Sequence, residues 1–222
     1  MTPAQHRLAT EGIAIEQDVL QETVGCQDQV TAAYGGFNHI SFRRDGEIVV
    51  RPVGVGGERI DELNRHLMLF HTGIQRTASQ VADAYVRDMD RHEPALRRTA
   101  ALVEDALAVL SGPEPLTRVG ELLHEAWMVK CSLSPTVTNP RVSALSDEAR
   151  AAGAVSGKLI GAGGDGFVLL FVPPHQQARV HEALKRLIRV PFRFDFSGSR
   201  IVVHDAENEY PDEESARARM DV

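Results

Sequence analysis

The chain has 222 residues, 43% apolar and 25% charged, with a formal net charge of -7. That length suits one large domain or two small ones, and the composition is that of an ordinary soluble globular protein. An acidic balance with scattered basic residues excludes a nucleic-acid footprint. No apolar run nears the roughly 18 residues of a spanning helix, and the first residues carry no secretory leader pattern. Cys26 and Cys131 match no metal-ligand spacing and read as free thiols of a reducing compartment. The expectation is a cytoplasmic protein with neither membrane nor nucleic-acid partner.

Residues 4–20 read as a helix with an imperfect apolar stripe through Leu8, Ile13 (or Gly12), Ile15/Glu16 and Val19/Leu20. A short helix follows from about Gln27 to Tyr34, closed by Gly35. Asp28 sits in its first turn, where the helix dipole favours an ionised carboxylate; that suits a general base and equally an ordinary first-turn Asp. Phe37–Phe42 and Glu47–Pro52 alternate as strands about Arg44-Asp45-Gly46, and Asp-Gly is a strong hairpin signal. Gly54-Val55-Gly56-Gly57 reads as a flexible connector, with residues 61–66 leading into a strand at His66–Phe70. That strand ends at His71-Thr72-Gly73-Ile74-Gln75-Arg76. Arg76 suits a phosphate, whose oxygens its guanidinium fork matches, or is a surface Arg before a helix capped by Thr77 or Ser79.

Residues 77–110 are expected helical with a break near Pro94, and 116–131 form a further helix with Leu116, Val119, Leu122, Leu123 and Trp127 on its apolar side. After the loop Ser132–Pro140 comes a helix Arg141–Ala152, stopped at Gly153. Gly157–Ile160 and Phe167–Val172 are apolar strands flanking Gly161-Ala162-Gly163-Gly164-Asp165-Gly166. Glycine lets a backbone approach another group closely. The loop is therefore either a cradle of N–H groups for an anion or a ligand-free hairpin. A helix Gln176–Ile188 and a closing hairpin, Phe192–Phe196 with Arg200–Val203, complete the fold, and an acidic tail follows from Asp205. None of the nine histidines stands in a metal-binding pattern; His71 and His124 read as packed or surface residues.

Three segments together resemble the GHMP family of small-molecule kinases, and within it the heptose 7-phosphate kinase-like branch of sugar kinases. They are Gly25-Cys26-Gln27-Asp28-Gln29 with Tyr34-Gly35-Gly36-Phe37-Asn38; Leu69-Phe70-His71-Thr72-Gly73-Ile74-Gln75-Arg76; and Leu123-His124-Glu125-Ala126-Trp127 with Thr138-Asn139-Pro140 and Gly157-Lys158-Leu159-Ile160-Gly161-Ala162-Gly163-Gly164. Val190-Pro191-Phe192-Arg193-Phe194 fits as well. Order and spacing hold from about residue 5 to residue 204.

The resemblance implies an α+β, GHMP-kinase-like fold. Residues 1–60 would be a remnant of the N-terminal domain that carries the catalytic Asp. Residues 61–204 would be the C-terminal ferredoxin-like α/β sandwich, and 205–222 an acidic, disordered tail. It also implies ATP-dependent phosphorylation of a sugar or sugar phosphate hydroxyl, a reaction that asks a protein chiefly to position reactants and neutralise charge. Asp28 would accept or orient the hydroxyl proton. Gln27, Gln29, Gly35, Gly36 and Arg76 would lie about the substrate, and Lys158, Gly161, Ala162, Gly163 and Gly164 about the phosphates. ATP and Mg²⁺ are the implied cofactors, with most of their ligands in a part not seen here.

The chain departs from the family in three ways. The Gly/Ser-rich phosphate loop that should precede the Asp28 motif is absent from the sequence. Asp165 stands where the heptose branch usually has glycine, next to a phosphate site where like charges repel by about a kcal/mol or more. Ser143 stands where the family commonly has Asp. The expected partners are a sugar phosphate and either an N-terminal kinase half or a second copy, since apolar surface left by a missing sheet favours association. The isolated chain is expected to be weak or inactive. The alternative is a degenerate kinase that acts as a non-catalytic binding or interaction protein.

Overall fold

The structure is a computed structural model that describes residues 3–73, 89–134, 137, 139–160 and 166–203. Arg76, Thr77, Ser79, Thr138, the loop Gly161, Ala162, Gly163, Gly164 and Asp165, and the acidic tail lie outside the described residues.

The N-terminal part is built from α1 (Pro3–Ala14), whose end widens into a π-helical turn at Ile15–Val19, and α2 (Gln27–Tyr34). A hairpin of β1 (Asn38–Phe42) and β2 (Ile48–Pro52) follows. Its turn sits where Asp45-Gly46 placed it, with Gly46 at φ 87°. The expected apolar stripe of α1 is corrected in part: Leu8, Ile15, Val19 and Leu20 are exposed, while Ile13 packs on the local core. Ala9 is buried there too, and Gly12 faces α2, where a Cβ on it would sit 3.7 Å from Gln29. Small residues let the two axes approach, so Ala9, Val30, Ala33 and Val50 form a compact local core.

The connector is shorter than expected. A helix, α3 (Gly57–His66), starts directly after Gly56, whose cap is made by no side chain. With no Ser, Thr, Asp or Asn at its start, α3 carries no capping signal. What holds α3 is tertiary: Leu63 is buried, and Arg59 donates to the carbonyls of Val109, Leu110 and Glu114 at 2.7, 3.0 and 2.5 Å. The first two of those carbonyls lie at the end of α4 (Glu93–Ser111), which follows a 3-10 turn at Met89–His92 and carries Pro94 in its first turn, where the missing N–H of proline is tolerated. Then come α5 (Thr117–Leu133) and α6 (Pro140–Ala151), the latter capped by the Asn139 side chain accepting from Val142 N–H.

The main sheet has four antiparallel strands in the order β4 (Ser156–Leu159), β5 (Phe167–Phe171), β3 (Leu67–His71), β6 (Ile188–Val190). Alternation along the strands sorts its two faces. Met68, Phe70, Val168 and Leu170 pack with Leu145 and Ala149 of α6 and with Val180 of α7 (Gln177–Ala183). Phe171 faces the other way, among Leu63, Leu102, Val119 and Leu122 of α3, α4 and α5. Gly120 is what lets α5 lie so close: a Cβ there would meet the Phe171 ring at 2.7 Å.

Two further expectations are corrected at the C-terminal end. The helix expected to run to Ile188 ends at Ala183, because Leu184–Leu187 turn the chain so that 188–190 can pair with β3. The closing hairpin is not formed. Residues 192–203 are irregular, and their backbone goes to the N-terminal part. Gly36 N–H donates to Asp195 O at 2.7 Å, and Ser199 Oγ donates to Ala32 O at 3.0 Å. Phe194 stacks edge-on against Phe37 with ring centres 5.7 Å apart.

Candidate functional site

Burial of Val30 and Ala33 fixes the rotation of α2, which leaves Gln27, Asp28 and Thr31 outward. Gln27 and Thr31, one turn apart, line a groove of about 630 Å³. Its walls come from Phe37, Ile40 and Phe42 of the N-terminal hairpin region, from Leu102 to Leu110 of α4 and from Val119 to Ala126 of α5. Most of this lining is apolar. Its polar lining includes Gln27, Thr31, Asn38 and Lys158, with Gly36 among them.

Strand parity puts Lys158 there. Gly157 and Leu159 lie on the α6 side of β4, where a Cβ on Gly157 would touch Leu170 at 2.7 Å and Ser146 at 3.5 Å. Lys158 therefore faces the side of the sheet that α5 covers. On α5, Val119, Leu123 and Ala126 line the groove, and the same helical stripe continues one turn on to Lys130. Lys130 is half-buried. Its ammonium is pushed down to about 8, first by burial and then by the charge of Lys158, against opposing pulls from Cys131 and Asp28. Lys158 is likewise lowered by burial. Lys130 thus lies within electrostatic reach of Lys158 and Asp28.

The other expected site residues divide. Gly36 lines the groove, but Gly35 is enclosed: its φ is 60°, and a Cβ would lie 2.1 Å from Gly198 N. Its role is to let the 192–203 segment cross over the end of α2. Gln29 turns away from the groove, its amide donating to Glu16. Arg76, Gly161, Ala162, Gly163 and Gly164 fall outside the described residues. Lys130 was not singled out in the sequence. The signal that could have found it is an apolar stripe on α5 that ends in a lysine. His124 on the same helix is packed as expected, its imidazole pushed below its usual range by burial and by Arg150, with Nδ1 buried and unpartnered. A second cavity of about 350 Å³, between α3, α7 and β6, holds none of the expected site residues.

Among the described residues no three His, Cys, Asp or Glu side chains converge to hold a metal ion. No helix among the described residues is long and apolar enough to cross a membrane.

Comparison with known proteins places this architecture. Residues 102–189 match the family described as GHMP kinases C terminal. The chain carries that C-terminal domain on a GHMP-kinase-like α+β fold. It is 28% identical over 187 residues to D-glycero-alpha-D-manno-heptose 7-phosphate kinase of Campylobacter jejuni, covering 82% of this chain and 54% of that protein. A crystal structure of a D-glycero-D-manno-heptose 1-phosphate kinase from Bacteriodes thetaiotaomicron superposes with a TM-score of 0.63 at 25% identity, over 91% of this chain and 57% of that one. The bifunctional fucokinase/GDP-fucose pyrophosphorylase of Arabidopsis thaliana is 30% identical over 186 residues, 77% of this chain and 17% of that protein. The chain spans about half the length of the heptose phosphate kinases it resembles.

Proposed function

We propose that this chain forms the acceptor side of a sugar kinase that phosphorylates a hydroxyl of a heptose phosphate or related sugar phosphate at the expense of ATP. The observation that carries the reading is a groove bordered by the first turn of the Asp28 helix and by Lys158, in a chain similar to a heptose phosphate kinase over most of its length. A sugar phosphate is polar, so it suits the polar part of the lining, Gln27, Asn38 and Lys158. In this reading Asp28 takes the proton of the attacking hydroxyl, and Lys158 offsets phosphate charge. Gly36 and Gln27 border the sugar. ATP and Mg²⁺ belong to the reading through the similarity to kinases. The loop 161–165 borders the phosphates, and a Gly/Ser-rich phosphate loop comes from outside these 222 residues. The enzyme acts in the cytoplasm.

The test is phosphoryl transfer to heptose 7-phosphate by this chain, alone and with a segment carrying such a loop. Transfer should be weak or absent alone, appear with the added segment, and disappear in Asp28→Asn. Full transfer in Asp28→Asn would refute the reading. Asp165 favours a second reading, a non-catalytic relative that keeps the acceptor site, because a carboxylate in a phosphate-facing loop opposes anion binding. It predicts sugar phosphate binding without transfer under any complementation.

A further inference from the structure

The cavity between α3, α7 and β6 shares no residue with the groove and has a chemistry of its own. It exists because β6 stops early. β5 pairs with all of β3, from Leu67 to His71, whereas β6 covers only Leu69–His71. Pro191 follows, has no N–H to give to a sheet, and the chain leaves for the N-terminal part. The notch left beside Leu67 measures about 350 Å³, enough for a small molecule. Its frame is tied together. Gln177 Nε2, at the start of α7, donates to Arg65 O at 2.6 Å, and Val172 N–H donates to His66 O at 2.6 Å.

The lining joins an apolar wall to two cations. Leu67, Leu69, Val190 and Phe192 form the wall, and Arg65 and Arg189 come to it from α3 and β6. No Asp or Glu stands among the described residues that line the cavity, in a chain of net charge -7. Neither guanidinium has an ion pair or hydrogen bond among the described residues. Arg186, just before β6, is by contrast held by Glu148 at 2.8 Å. Asn64 also borders the cavity, and its Oδ1 is buried without a partner, so this amide is not committed to the fold.

We propose that this cavity is an effector site for a small carboxylic acid with an apolar body, aliphatic or aromatic. A guanidinium fork matches a carboxylate, and the wall takes the body. A sugar phosphate has no apolar part to set against that wall, and as a dianion it loses more hydration on entry. The cavity reaches the groove through aromatic rings. Phe192 meets Phe194 edge-on with ring centres 6.4 Å apart. Phe194 lines the groove and meets Phe37, also of the groove, at 5.7 Å. A ligand that moves Phe192 therefore moves the groove wall, and by linkage a ligand in the groove changes affinity at the cavity. The site does not rest on the kinase reading above.

Ring spectra of the full chain labelled with [¹³C]phenylalanine read the proposal directly, since the chain has eight phenylalanines. The probes are 4-methylpentanoate and phenylacetate, beside 4-methylpentanamide, acetate, inorganic phosphate and mannose 6-phosphate. Both apolar acids should shift Phe192 in a saturable way, and with it Phe194 and Phe37, while the other four leave Phe192 still. Arg65→Gln and Arg189→Gln should each weaken binding about tenfold. Both side chains are exposed, and amide spectra matching the parent would exclude a folding defect. Phe194→Leu should keep the shift at Phe192 and lose the one at Phe37. Equal binding of the uncharged amide, or binding unchanged in both arginine variants, overturns the carboxylate site. A Phe192 response to phosphate or mannose 6-phosphate alone overturns the ligand class. No response of Phe192 to any probe overturns the site, and a Phe192 shift that never reaches Phe37 in the parent overturns the effector role.

Discussion

Lys130→Met isolates the cost of placing an ammonium group on the groove stripe of α5. Methionine keeps an unbranched stem of similar length, so apolar contacts are largely conserved and the charge is what goes. The Lys130 ammonium titrates at about 8 in the folded protein against an ordinary 10.5. A group whose folded pKa is depressed in this way binds protons more weakly folded than unfolded. Its penalty is therefore fully present below about pH 8 and relieved as pH rises from there to about 10.5. The interval corresponds to about 3 kcal/mol at most, set mainly by burial and secondarily by Lys158. Urea melts should show Lys130→Met more stable than the parent at pH 7, by about 2–3 kcal/mol with an unchanged slope. The advantage should shrink steadily between pH 8 and 10.5, where the parent gains. Lys158 is lowered in the same direction by burial, and removing the Lys130 charge also relieves its side of their repulsion, so it adds to the gain. A Lys130→Met protein that is less stable at pH 7, or an advantage that does not change with pH, would refute the burial argument.

Other substitutions probe the packing that places the groove. Gly35→Ala sets a Cβ against Gly198 N at a φ of 60°, so it combines backbone strain with a main-chain clash; a loss of about 3–4 kcal/mol is expected in urea melts. Gly120→Ala presses a methyl onto Phe171 and Val155 at 2.7 and 2.9 Å. It should cost about 1–3 kcal/mol and push α5, with Lys130, away from the sheet, seen as a changed Lys130 ε-methylene shift. Arg59→Met strips the guanidinium from the carbonyls of Val109, Leu110 and Glu114. It should cost about 2 kcal/mol and raise hydrogen exchange first at the end of α4 and in α3.

Periodicity and local chemistry made most of the elements legible. The Asp45-Gly46 turn, the Gly35 stop of α2, Asn139 before α6 and the apolar side of α5 are short-range signals, and each falls where its residues place it. The resemblance to a kinase family was legible for the same reason, since its motifs are short stretches in a fixed order. Elements whose ends depend on distant partners were not legible. No capping residue announces α3, which Arg59 and Leu63 fix from a distance. Residues 192–196 alternate as a strand should, but Asp195 O accepts from Gly36 N–H and Ser199 Oγ donates to Ala32 O in the N-terminal part, and no hairpin forms. The α1 stripe looked like a core face, yet helix packing chose Ala9 and Gly12 because only small residues allow so close an approach.

The candidate site divides along the same line. Asp28 and Lys158 could be named from motifs, because each motif keeps its residue at one position in a local turn or strand. That Lys158 points to the α5 side of the sheet, and that Lys130 arrives there from 28 residues upstream, only the tertiary structure decided. The sequence carries the periods of strand and helix, but not which face meets which. The sequence by itself determined the composition class, the order of elements and the kinase-like motifs. Packing of α5 against the sheet brought Lys130 within reach of the charges of Lys158 and Asp28, because charge and burial act through space rather than along the chain.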